Sequence, residues 1–368
     1  MGDGVNIAVM PDSFGGTLTA VEAAAAIGAG WHAARPDDVV TLAPQSDGGP
    51  GFVMVLEKAF GGEVRTQSVT GPLGEPTRAS WLMHDGVAYL EVAQICGLQL
   101  VPAPRTPQTA LAATSAGLGD LISTALLAGA RSIVVGLGGS VTTDGGRGAA
   151  ERLGGCAAAV RILSEVELVA ATDVDNVLLG PRGAAAVFAP QKGADPATVE
   201  LLEERLTGWA QELRDVAGRE VADEPGAGAA GGIGAMLLAC GARRVRGAEL
   251  VAQVTGRRAV IDAASLVITG EGSIDDQTPH GKLVSVIAGE AAAAGVPLLV
   301  LAGQSALSAA EAAAFGQVHA LLDRAGSLED AMDNAGPLLT ELAAEQAERW
   351  TPAPWVAEPA EPVVEHDD

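Results

Sequence analysis

The chain has 368 residues, a formal net charge of −24, 48% hydrophobic and only 3% aromatic residues. That hydrophobic content excludes a disordered chain, and the lack of any basic stripe excludes a nucleic-acid reader. Its 22 cations are 19 Arg plus Lys58, Lys192 and Lys282, while Cys96, Cys156 and Cys240 lack the spacing of a zinc site or disulfide framework.

At about 150 residues per domain the length predicts two domains. The amino-terminal stretch MGDGVNIAVMPDSF has no basic n-region, and no apolar run reaches the roughly 18 residues needed to span a bilayer. The expectation is a cytoplasmic protein without a membrane partner. NIAVM (6–10) reads as a strand leading into PDSFGG, and Thr19-x-x-Glu22 as a capping box opening an Ala-rich helix. VVTLAP (39–44) leads through QSDGGPG into a second helix. Residues 67–100 read as a β-hairpin turning at His84-Asp85-Gly86.

SIVVG (132–136) leads into GLGGSVTTDGGRG. Asp195-Pro196 opens a helix whose apolar residues, Trp209 among them, step by three and four and face a core. LVIT (266–269) leads into GEGSIDDQTPHGK, and VPLLVLAG and VHALLD (318–323) read as two more buried strands. Apolar strands alternating with helices predict an α/β fold with parallel sheets covered on both faces. After Trp350 come four prolines, five acids and no cation, the composition of a disordered acidic tail.

The chemistry concentrates at strand ends. Six glycines surround Ser140, Thr142, Thr143 and Asp144 in residues 136–148, so backbone amides at Gly138 and Gly139 can approach an anion closely. Acids recur at equivalent places: Asp12 beside Ser13, Asp47, Asp173 and Asp175, Glu271 and Asp275 flanking Gly272. Each could alone be a cap or an Asx turn, but ligands of open α/β sheets bind beyond the carboxyl ends of strands. Lys192 and Lys282 sit beside glycines in loops, where Arg serves nearly every other cationic role, so a compact ammonium is needed there. His280 shares the Lys282 loop. PGAGAAGGIG (225–234) contains a G-x-G-x-x-G, with Gly228 and Gly231. It reads as a close-packed helix start, as an anion site, or as a dinucleotide fingerprint that lacks its preceding strand.

Together PDSF (11–14), DGG (47–49), GPLGE (71–75), GLGGSVTTDGG (136–146), DVDNVLLGPRGAAAVFAPQKGA (173–194), PGAGAAGGIGA (225–235) and LVITGEGSIDDQTPHGK (266–282) resemble the type I glycerate kinase family, in family order. The resemblance implies a two-domain enzyme that transfers the γ-phosphate of ATP to D-glycerate with Mg²⁺, using a small hydroxy acid and a nucleotide and no nucleic acid. It also implies a flavodoxin-like parallel-sheet domain formed by both chain ends, 1–66 and 260–349, with a second α/β domain, 67–259, inserted and 350–368 as the tail. On this reading Asp173, Asp275, Lys192 and Lys282 are the catalytic candidates, with Asp173 and Asp275 holding Mg²⁺ or taking the hydroxyl proton. Asp12, Ser13, Asp47, Gly138, Gly139, Ser140, Asp144, Gly228, Gly231 and Gly272 would bind substrate or nucleotide. The chain departs from the family pattern at Gly15, Pro50 and Ala116, which leaves a non-catalytic anion-binding relative as the competing reading. An NAD-dependent oxidoreductase rests on GAGAAGG alone. A homo-oligomer is compatible with all three.

Overall fold

The computed structural model describes residues 4–274, 283–308, 311–312 and 315–351. Strands β1 (Asn6–Val9) and β2 (Val39–Leu42) come first. The chain then runs through β3 (Glu63–Thr70), β4 (Pro76–His84), β5 (Val87–Glu91), β6 (Ser132–Gly136), β7 (Glu167–Ala171) and β8 (Arg243–Val245). It closes with β9 (Leu266–Thr269), β10 (Ser273–Ile274), β11 (Leu298–Ala302), β12 (Gln304–Ser305) and β13 (Gln317–Ala320). These strands divide between two compact units. The first draws on Met1–Leu18, Glu22–Ala43 and Arg257–Asp368, the second on Thr19–Val21 and Pro44–Gly256.

The first unit is a parallel sheet of order β13-β11-β9-β1-β2. Renumbered within the unit this is the flavodoxin-like order 2-1-3-4-5. Side chains alternate across it, as a pleated strand requires. Ile7, Val9, Leu299 and Leu301 pack with Trp31 and Leu339, from helices Ala20–Ala34 and Ala335–Arg349. Val300 and Ala302 pack on the other face with Val284 of helix Leu283–Ala294. The edge strand β2 is mostly exposed rather than buried. VHALLD is strand only through Ala320, after which residues 321–323 form a 3₁₀ turn.

One carboxylate ties the ends of this unit together. Asp38 accepts hydrogen bonds from Val5 N–H (3.1 Å), Trp31 Nε1–H (3.0 Å) and Arg35 Nε–H (2.6 Å). Burial pushes its carboxyl upward, but Arg35, Trp31 and the Val5 amide together hold it below the ordinary value. Trp350, assigned by sequence to the tail, instead packs edge-on against Trp31 at 5.8 Å, with Arg35 over its ring. The folded chain therefore extends through Trp350, because that indole completes an aromatic contact. Residues 352–368 lie outside the described residues.

The second unit carries a six-stranded mixed sheet in sequence order, β3 to β8, antiparallel through β5 and parallel from β5 to β8. The expected hairpin joins β4 to β5, and both turn residues, Asp85 and Gly86, have positive φ (48° and 81°), as a tight two-residue turn demands. One face packs on helices Ala116–Leu127, Pro196–Ala217 and Ala229–Ala239. Asp195 caps the second of these by accepting Thr198 N–H at 2.8 Å, and Trp209 is a core residue. The other face packs on Phe52, Val53 and Leu56 of helix Phe52–Phe60 and on Val251 of helix Gly247–Thr255.

That last contact moves the domain boundary. The sequence places the break after residue 66, but it falls after Ala43, because helix Phe52–Phe60 buries its apolar face with Leu82, Val134 and Val169 of the second sheet. The return crossing falls after Gly256, three residues from the expected one. Among the described residues one apolar helical stretch, Pro107–Leu127, has the length to cross a membrane. It is interrupted at 113–115, and Leu118, Leu121 and Ile122 are in the core.

Candidate active site

In the second unit a cavity of about 210 Å³ opens off the carboxyl ends of β6 and β7, where open α/β sheets place their ligands. Backbone hydrogen bonds fix the glycine loop that forms its rim. Gly138 N–H donates to Gly48 O (3.1 Å), Leu98 N–H to Gly139 O (2.9 Å) and Val141 N–H to Cys96 O (2.8 Å).

Lys192 reaches this cavity from the end of a 3₁₀ turn, Pro190–Lys192. Its side chain is 2% exposed, and Nζ donates to Thr142 O (2.6 Å) and Ser140 Oγ (3.0 Å). An ammonium has three donors, so one N–H is left for a ligand in the cavity that Lys192 lines. Burial drives its pKa down to about 8, with Cys96 and Asp144 opposing the fall. The ammonium is therefore still protonated near pH 7.

Two acids face it. Asp173 follows β7 and accepts Ala248 N–H at 3.0 Å. Burial raises its carboxyl to about 6; the Ala248 bond opposes this and the Asp47 charge adds to it. Asp47 lies in the turn after β2, with Oδ1 accepting Gly49 N–H at 2.9 Å. Its side chain keeps an exposed surface, while the protein walls around the turn raise its carboxyl as well. The second acid of TDVDN, Asp175, turns away to pair with Arg244 and Arg246.

Glu91 is a supporting residue that the sequence pattern does not single out. It ends β5, is 2% exposed, and accepts Gly51 N–H (2.9 Å) and Val53 N–H (3.2 Å) at the start of helix Phe52–Phe60. It thus holds the turn that carries Asp47. Its only signal is an acid closing an apolar strand, YLE, and that signal is shared by every capping carboxylate.

Asp144, expected to bind a ligand, accepts hydrogen bonds from its own loop and from Ser115, and lines a separate cavity of about 370 Å³. It accepts Ser115 N–H and Oγ–H (both 2.8 Å), Gly146 N–H (3.0 Å) and Gly148 N–H (3.1 Å). Gly228 and Gly231 serve close backbone approach. A Cβ on Gly228 would lie 2.2 Å from Val177 O, and one on Gly231 2.0 Å from Thr142 O. Ala230, Gly231 and Gly232 all have positive φ, so the chain kinks here before the helix begins. No strand precedes GAGAAGG, which removes the context of a dinucleotide fingerprint. Gly231→Ala should destabilise the chain by roughly 2–4 kcal/mol through strain plus the clash with Thr142 O. Gly218→Ala, at φ 68° but in open space, should cost about 1 kcal/mol. Urea denaturation of both variants measures the difference.

In the first unit Asp12, Ser13 and Gly272 line a crevice of about 450 Å³ at the carboxyl ends of β1, β9 and β11. Ser13 N–H donates to Asp12 Oδ1 (2.6 Å), Asp12 N–H to Gly270 O (2.8 Å) and Gly272 N–H to Ser13 O (3.3 Å). A hollow of about 580 Å³ beside Pro297, His319 and Arg349 lies towards the amino ends of β11 and β13, away from the strand ends that carry the acids. Asp275, Lys282 and His280 lie outside the described residues. The structure thus gathers Asp47, Gly138, Gly139, Ser140, Asp173, Lys192 and Gly231 around one cavity, and Asp12, Ser13 and Gly272 around another.

The sequence profile described as "Glycerate kinase family" matches residues 7–159 and 156–351. A glycerate kinase of Halalkalibacterium halodurans is 37% identical, over 92% of this chain and 96% of its own. A glycerate 2-kinase of Escherichia coli is 38% identical, over 81% and 85%. An uncharacterized protein of Mycobacterium bovis is 52% identical, over 94% and 91%. A crystal structure from Salmonella typhimurium LT2, assigned to glycerate kinase 2, superposes with a TM-score of 0.74 at 36% identity, over 94% of this chain and 98% of that one.

Proposed function

Since the chain belongs to the glycerate kinase family, we propose that it transfers the γ-phosphoryl group of ATP to D-glycerate, in the cytoplasm and with Mg²⁺. The observation that carries this reading is the buried Lys192 ammonium, two of whose three donors are used within the protein, lining a small cavity with Asp47 and Asp173. A three-carbon hydroxy acid fits about 210 Å³, and its carboxylate suits a buried ammonium beside the Gly139 backbone.

Phosphoryl transfer asks a protein for positioning and charge stabilisation. Lys192 and the amide of Gly139 fix the acid and offset its charge, the Gly138 N–H being committed to Gly48 O. Asp173, whose carboxyl titrates near 6, is ionised at neutral pH and takes the proton of the attacking hydroxyl. Mg²⁺ is held by one or two carboxylates plus substrate phosphates. Asp47, a hard oxygen donor that already raises its neighbour Asp173, fits that role, and the ion supplies charge neutralisation on phosphate oxygens. Asp12, Ser13 and Gly272, around the crevice of the first unit, are the candidates for binding the nucleotide.

The test is phosphorus NMR of the protein with ATP, Mg²⁺ and D-glycerate. A new phosphomonoester signal that requires D-glycerate supports the proposal. Nucleotide binding without that signal returns the non-catalytic anion-binding reading.

A further inference from the structure

The crevice of the first unit has two unlike sides. Its floor is polar, with Asp12 and Ser13 after β1 and Glu271 after β9. Its wall is apolar. Leu328 and Met332 stand four residues apart on helix Leu328–Asp333, hence on one face, with 52% and 49% of their surface exposed. Large apolar side chains left half bare along a crevice favour a ligand with an apolar face of its own. D-glycerate has no such face, since every one of its carbons bears oxygen.

We propose that this crevice binds the nucleoside end of the phosphoryl donor, its purine ring against Leu328 and Met332 and its ribose hydroxyls towards Asp12 and Glu271. This rests on the kinase reading above and adds to it which end of the nucleotide the first unit recognises. Size agrees: about 450 Å³ admits a nucleoside, where the 210 Å³ cavity of the second unit admits a three-carbon acid. Chemistry agrees as well. Carboxylates accept hydrogen bonds from ribose hydroxyls in other α/β nucleotide folds, and they repel phosphates, so they orient the nucleoside inward. The crevice also lies where β1 separates connections running in opposite directions across the sheet, the switch point at which such folds bind nucleotides.

Met332→Asp and Leu328→Gln test this on the full chain, because both side chains are half exposed and their replacement should leave the melting temperature within a few degrees of the parent's. Binding of ADP, adenosine and tripolyphosphate is measured by calorimetry. Met332→Asp should weaken ADP and adenosine at least tenfold each and leave tripolyphosphate within twofold; Leu328→Gln should do the same more weakly. Adenosine, being uncharged, separates loss of the wall from simple repulsion by the new carboxylate. Unchanged adenosine affinity in both variants, or a parallel loss of tripolyphosphate, overturns the proposal. If the parent phosphorylates D-glycerate and both variants keep its KM for ATP, the subsite fails and the kinase reading stands. If adenosine binding depends on the wall while no phosphoglycerate forms, the subsite stands and the kinase reading fails.

Discussion

Lys192→Met should lower kcat/KM for D-glycerate on the order of 10²–10³-fold, the usual cost of losing one positioned charge, while the melting temperature moves by only a few degrees. The stability half of this expectation comes from burial. The ammonium's pKa falls from the ordinary 10.5 to about 8, so holding it charged near pH 7 costs the fold roughly 3 kcal/mol. Met keeps the length of the stem without the charge. Against that relief stand the lost bonds to Ser140 Oγ and Thr142 O, each worth about 1–2 kcal/mol when a buried partner is left bare. The two nearly cancel.

The pH dependence has a definite sign. Below about 8 Lys192 is protonated in both folded and unfolded chains, and the full cost of burial weighs on the fold. Between about 8 and 10.5 the folded chain releases that proton first, so Lys192 opposes folding less as pH rises. Urea titrations of parent and Lys192→Met near pH 7 and pH 10 should show the parent gaining relative stability at the higher pH. A Met variant that retains turnover within threefold removes Lys192 from the site.

Asp173→Asn should cost a similar 10²–10³-fold in kcat and abolish the acid limb of the pH–rate profile. In the parent, activity should rise through about pH 6 as Asp173 ionises. Folding responds in the opposite sense. Asp173 has a raised folded value, so between 3.8 and about 6 the folded chain keeps a proton that the unfolded chain has lost. Its contribution to stability therefore declines as pH rises through that window. The Asn variant keeps the Ala248 N–H acceptor without the charge and should be at least as stable as the parent at neutral pH. Its KM for Mg²⁺ should stay within threefold, since Asp47 is the proposed ligand. A tenfold rise in that KM with the acid limb intact would transfer Asp173 to the ion.

Much of the architecture was legible because local signals agreed with one another. Alternating apolar strands and Ala-rich helices, the Asp-Gly turn at 85–86 and the Asp195-Pro196 cap each name an element without reference to the rest of the chain. The boundary at Ala43 was not legible, since β2 and helix Phe52–Phe60 look like one continuous βα unit. Only packing assigns the helix to the other sheet. Lys192 stood out because lysine is scarce, and a rare residue in a glycine-flanked loop has a positional cause. Asp144 shows the limit of that reasoning: in a glycine-rich loop the same acid can face a ligand or cap its own amides, and here it caps four donors. Glu91 was invisible because its role depends on a turn forty residues earlier.

The central strands of the first sheet, β1 and β9, pair Ile7 with Leu266, yet the whole second unit is synthesised between them. At about 5–20 residues per second, the ribosome needs roughly 13 to 50 seconds to deliver the partner of β1 after β1 itself has been made. For that interval the nascent chain carries an apolar strand with an open edge, the kind of segment that pairs with strangers. The second unit is contiguous apart from a three-residue fragment and can fold first, while the residues through Ala43 wait for those from Arg257 onward. Through Gly256 the chain already carries 28 acids against 17 cations, a net charge of −11 that acts before any substrate arrives. Mutual repulsion between half-made copies on one polysome should oppose the joining of β1 to β1. A circular permutant opened in the second unit, with β1, β2 and β9 to β13 made consecutively, would remove the delay and the need for that repulsion.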